Sequence, residues 1–173
     1  MSTSLYDMSI GSYLQVVPAV AAFMDKAAEH CKANDVALDD VVATSLHPDM
    51  WSFHAQVVGV VHQSMGVVKG MRSGEFSPPS GYPETDYAGL QKLIADTLAQ
   101  LQALTEDEIN GLAGGKVVFK LGEMELPFTT ENFVLSFSLP NFYFHATTGY
   151  DILRMLGVPV GKRDFLGKLK VGV

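Results

Sequence analysis

One apolar rhythm runs through most of this chain and is broken once. Tyr6, Ile10, Tyr13, Leu14, Val17, Val20, Ala21 and Met24 recur at steps of three and four, the pattern of a helix with one buried face. The spacing predicts a helix over 5–33. Pro18 is expected to kink it, because proline removes a backbone donor and crowds the preceding turn. LDDVVAT at 38–44 reads as a short helix. A second long helix is predicted over 50–71, its register carried by Trp51, Val58, Val61, Met65 and Val68. Residues 73–84 hold three of the eight prolines and two glycines, which marks a loop. Thr85 or Asp86 can cap the third helix, whose stripe is Leu90, Leu93, Ile94, Thr97, Leu98 and Leu101.

At Lys116 the period changes. KVVFK is rich in β-branched and aromatic residues, and Gly122-Glu123 makes a turn before MELPF. This predicts a β-hairpin near 116–128. Thr129 or Thr130 then caps a fourth long helix, which Gly157 ends. Four long helices with one inserted hairpin predict a mainly all-α chain, a four-helix bundle, built as a single domain over 1–173.

Bulk properties narrow the partners. A chain of 173 residues that is 47% hydrophobic and 18% charged can bury a substantial core. Its formal net charge of -7 speaks against nucleic acid, and the one basic cluster is Lys162, Arg163, Lys168 and Lys170. The longest apolar stretch, at 16–23, is far shorter than a bilayer span, and the first residues lack the pattern of a secretory leader. We therefore expect no membrane partner and a cytoplasmic protein. A chain this apolar leaves outer helix faces that commonly pair, so a homodimer is expected. Cys31 is the only cysteine. It forms no internal disulfide and suits a structural thiol.

The fourth helix holds the candidate chemistry. Its stripe of Leu135, Leu139, Phe142, Ala146, Leu153 and Leu156 is expected to face the core. Asn141 and His145, four residues apart, lie together on the edge of that stripe. Polar groups at such an edge point into a bundle or its mouth. Asp151 and Arg154 are spaced for an exposed ion pair. The acidic runs Asp39-Asp40 and Glu106-Asp107-Glu108 read as solvated faces. No nucleophile elbow and no phosphate loop is present.

From Pro140 to Gly167, PNFYFHATTGYDILRMLGVPVGKRDFLG resembles the last helix of the DinB/YfiT-like bundles. The continuation GKRDFLG is similar to the bacterial family known as the domain of unknown function numbered nineteen ninety-three. The resemblance runs from SLYDMS to DFLG and implies a DinB-like four-helix bundle with an inserted hairpin. It also implies a divalent-metal site with two histidines on this helix, of which Asn141 replaces the first, and a third ligand from the second helix. There His54, Gln56 and His62 are available, and Gln56 lies nearest the family position. An amide is a poor ligand for zinc or nickel. The expectation is thus a degraded metal site with no tightly bound cofactor, zinc or nickel being the metals such a site would admit. A pocket of Asn141, His145, Gln56, His62 and His54 would then take a small molecule. A metal-dependent transferase or isomerase and a non-catalytic homo-oligomer are the alternatives. In the tail, Pro159 and Gly161 should prevent helix, and Phe165 and Leu166 should anchor the end against the helices.

Overall fold

In a computed structural model, which describes residues 3–169, 171 and 172, the first helical stretch breaks at Ser9. Helix α1 (Leu5–Met8) is capped by Ser4, with Asp7 completing a capping box. The Ser9 hydroxyl donates to the Leu5 carbonyl at 2.6 Å, and its backbone departs from helical geometry. Short hydroxyl side chains compete with helix in this way. Helix α2 (Ile10–Ala33) then continues through Pro18 without a break. The single helix over 5–33 is therefore two.

Helix α3 (Leu38–Ala43) precedes an extended stretch. The second long helix starts later than its apolar spacing suggests: α4 (Phe53–Val61) follows Ser52, whose backbone is extended. Trp51 thus lies outside the helix and is 49% exposed; it carries no core register. From His62 to Gly66 the helix widens to π geometry before α5 (Val67–Ser73). Gly74, at φ 78°, closes that helix in the left-handed conformation. The loop expected at 73–84 contributes a short strand, β1 (Glu75–Phe76), and Pro78 and Pro79 follow it.

Helix α6 (Tyr87–Gln102) is capped by the Asp86 side chain, and the short α7 (Glu106–Asn110) by Thr105. Strands β2 (Lys116–Leu121) and β3 (Met124–Thr129) form the expected antiparallel hairpin. β1 joins β2 in parallel, placing Phe76 beside Phe119, and Lys120 pairs with Glu75 at 2.5 Å. The chain is mainly helical, with this three-stranded sheet on it.

The last long helical stretch starts with one turn, α8 (Thr130–Asn132), capped by Thr129. It widens to π geometry over Phe133–Ser138 and continues as α9 (Leu139–Met155). Each wide turn holds more residues than an α turn and rotates the faces on either side of it. Leu135 is consequently 50% exposed and not part of the core stripe, while Phe133, Val134 and Ser138 are buried in its place. Asp151 and Arg154 form no ion pair among the described residues; the Arg154 guanidinium reaches the Val158 carbonyl at 3.5 Å.

α9 packs on α4 and α2, and α6 packs on α2 and α4. Among the described residues no helix is long and apolar enough to cross a membrane. The tail forms a helix after all, α10 (Lys162–Leu166), because Asp164 accepts from the Gly161 amide and starts it. α10 lies along α2, where Lys26 pairs with Asp164 at 2.5 Å. Lys170, the last of the expected basic cluster, lies outside the described residues.

Candidate functional site

α4 and α9 cross closely because Gly59 lacks a side chain. A Cβ there would lie 2.5 Å from Cγ of His145, nearer than atoms can approach. The imidazole therefore rests on the α4 backbone itself. It is covered on one face by Trp51, whose ring stacks on it at 5.6 Å between centroids and 8° between planes. His145 is 8% exposed.

One hydrogen bond sets the protonation of this ring. Gln56 on α4 donates from Nε2 to the Trp51 carbonyl at 3.1 Å, so its Oε1 is the end that meets His145. Nδ1 of His145 lies 2.8 Å from that oxygen and must be the donor, since an amide oxygen only accepts. Nε2 is left as an unshared acceptor with no protein partner among the described residues. Burial, with a smaller contribution from His62, lowers the imidazole from its ordinary range to about 4. The ring is neutral near pH 7. It is an adequate hydrogen-bond acceptor and a weak base.

His62 opens the π segment of the second helix and faces a different set of groups. Its Nε2 donates to the Ser77 carbonyl at 2.7 Å, which leaves Nδ1 to accept from the Tyr82 hydroxyl at 3.4 Å. These contacts hold the loop after β1 against the helix. Burial depresses this imidazole too, and Lys69 adds to the effect.

The two larger of the cavities that His145 lines meet at its ring. The inner one, about 150 Å³, is shared by His145, His62, Asn141, Gln63, Phe119 and Phe137 and roofed by Pro78 and Pro79. The outer one, about 330 Å³, lies between Asp49, Met50, Trp51, Gln56 and Phe144. Of the five residues singled out in the sequence, four come together here: His145, Gln56, Asn141 and His62. His54 does not. It lines a separate cleft with Tyr82 and Glu84, and its Nε2 is buried without a partner.

The donor set does not fit zinc or nickel. Asn141 donates from its amide nitrogen back to the Phe137 carbonyl at 2.7 Å, so only its amide oxygen, a poor ligand for these metals, remains, and Gln56 Oε1 is committed to His145. With both ring nitrogens of His62 engaged by Ser77 and Tyr82, that leaves Nε2 of His145 and the Asn141 amide oxygen at the inner cavity, with no thiolate and no carboxylate in its lining. Among the described residues no three His, Cys, Asp or Glu side chains gather as a metal site would need.

Sequence reasoning missed Trp51, Gly59 and Gln63. A tryptophan at the head of an apolar helix reads as core. Gly59 carries no local turn signal, and its role exists only because α9 arrives against it.

The profile of the family described as domain of unknown function (DUF1993) matches residues 5–166. A crystal structure of a DinB family member protein from Shewanella denitrificans is similar over 98% of this chain and 95% of that one. The TM-score is 0.81 and the sequence identity 26%. No curated protein matches the chain.

Proposed function

We propose, from the premise that this chain belongs to the DUF1993 family, that it binds a small organic molecule where α4 and α9 cross. The observation behind this reading is the orientation of His145. Gln56 fixes Nδ1–H at 2.8 Å, so an unshared Nε2 remains on a buried, neutral ring that lines two cavities. An acceptor that no protein group uses, on a ring lining cavities of this size, is open to a donor from a bound molecule. Pockets that combine apolar walls with a few convergent polar groups are the usual form of small-molecule sites.

The metal-dependent transferase or isomerase suggested by likeness to DinB proteins has less support, because the donor set is wrong for it. The outer face of α9 leaves Phe144 and Met155 exposed. Those residues are eleven apart, within about 20° on one helical face, and this is where a second copy would pack in the expected homodimer.

A fragment screen by NMR, with the ring protons of His145 as the reporter, tests the ligand reading. Hits that shift His145 more than the other four histidines are expected. A diverse fragment set that leaves His145 unmoved at millimolar concentration overturns it.

A further inference from the structure

The inner cavity carries a second polar group that the protein itself does not use. Gln63, in the π segment of the second helix, is buried, and its side chain makes no hydrogen bond among the described residues; Oε1 is orphaned outright. Its main-chain carbonyl, by contrast, accepts from the Ser138 hydroxyl at 2.9 Å. The backbone is therefore held while the amide is left with capacity to spare. A buried acceptor without a partner is unfavourable by roughly 1–3 kcal/mol, and a bound donor that meets it recovers that cost.

The rest of the lining says what the group belongs to. Trp51, Phe76, Phe119 and Phe137 surround the space with ring faces and edges; Phe119 and Phe137 lie 4.7 Å apart and Phe76 and Phe137 6.1 Å. Aromatic walls favour a planar guest through offset and edge-on contacts. No Asp, Glu, Lys or Arg lines the cavity, so a charged guest would lose its hydration without compensation. The volume, about 150 Å³, is the size of a cavity that holds one benzene ring, roughly 150 Å³ in an engineered protein core.

Resting on the small-molecule reading above, we infer that the inner cavity takes a single neutral aromatic ring bearing a hydroxyl, a phenol-type ligand. The hydroxyl hydrogen goes to Oε1 of Gln63, the buried acceptor that has no partner among the described residues. One O–H group meets that unmet acceptor, which a hydrocarbon of the same shape cannot do, while the ring lies in the cavity that His145 also lines.

Phenol, toluene and benzoate serve as probes in calorimetric titration of the whole chain, with His145 shifts read in parallel. Phenol is expected to bind about tenfold tighter than toluene, the ratio that one net hydrogen bond supplies, and benzoate not at all. Gln63→Leu is expected to fold normally, because the side chain it removes has no protein partner. It should erase the preference for phenol while leaving toluene binding equal or improved. Equal affinity for phenol and toluene, or a preference unchanged in Gln63→Leu, overturns the inference. Benzoate binding as tightly as phenol overturns it as well. If no ring binds while other fragments still shift His145, the ligand class is wrong and the pocket reading stands. If no fragment shifts His145 at all, the reading beneath it falls too.

Discussion

His145 sits beneath Trp51 with Nδ1 held by Gln56, and burial brings its imidazole down from 6.5 to about 4. The consequence for stability has a definite sign. In the unfolded chain the ring protonates near pH 6.5 and in the folded chain near pH 4, so between those values the unfolded state holds more protons. Stability from this residue is fully present above pH 6.5 and is lost as the pH falls towards 4. His62, also depressed by burial, acts in the same direction. We predict a loss on the order of 3 kcal/mol between pH 7 and pH 4 from His145, seen in urea denaturation at the two pH values. The ring's NMR titration is the direct check: a midpoint near 6.5 in the folded protein would show that burial does not govern this imidazole.

Among elements, the two π segments are what the site depends on most. They face one another across the core, joined by a short hydroxyl chain. Ser138 has one hydrogen and gives it to the Gln63 carbonyl at 2.9 Å; Tyr13 on α2 must then donate to Ser138 at 2.6 Å. Burial pushes the Tyr13 hydroxyl well above its ordinary range, so it stays a donor at any accessible pH. Ser138→Ala would leave both the Tyr13 hydroxyl and the Gln63 carbonyl short of a partner inside the protein. The expected cost is about 1–3 kcal/mol, measured by chemical denaturation. A variant as stable as the parent would mean that water or a shifted side chain replaces the serine. Because Gln63 is one end of this chain, the same substitution should also blunt any ligand preference that depends on its amide.

For the molecule as a whole, the tail is the element that closes the structure over α2. Phe165 is half-buried and meets Tyr150 edge-on at 5.9 Å, Gln15 donates to the Leu166 carbonyl at 3.1 Å, and Lys26 pairs with Asp164. The ion pair is exposed and contributes little; the apolar contact is the larger part. Phe165→Ala is expected to cost about 1–2 kcal/mol, less than the 3–5 kcal/mol of a fully buried phenylalanine. Limited proteolysis offers an independent readout, with faster cleavage in the tail of the variant. An unchanged digestion pattern together with unchanged stability would remove the clasp role.

Periodicity and turn chemistry are local properties, and what they determine was already legible in the sequence. The long helices, the hairpin from Lys116, the cap at Asp86 or Thr85 and the pairing of Asn141 with His145 on one helical face all follow from steps of two or three to four residues. Even the approach of Gln56 to His145 was within reach through family register. Tertiary structure alone decided the rest. Whether Trp51 enters the core or stacks on an imidazole depends on where α4 begins, and Ser52 sets that with an extended backbone. Leu135 belongs to the apolar stripe only if its helix is regular, and the wide turn at Phe133–Ser138 moves it out to solvent. Gly59 matters because a ring 86 positions further along the chain rests where its Cβ would be. The state of the Asn141 amide nitrogen, spent on Phe137, and of the Gln63 amide, spent on nothing, is a matter of which partners lie within about 3 Å. No spacing in the chain encodes that distance.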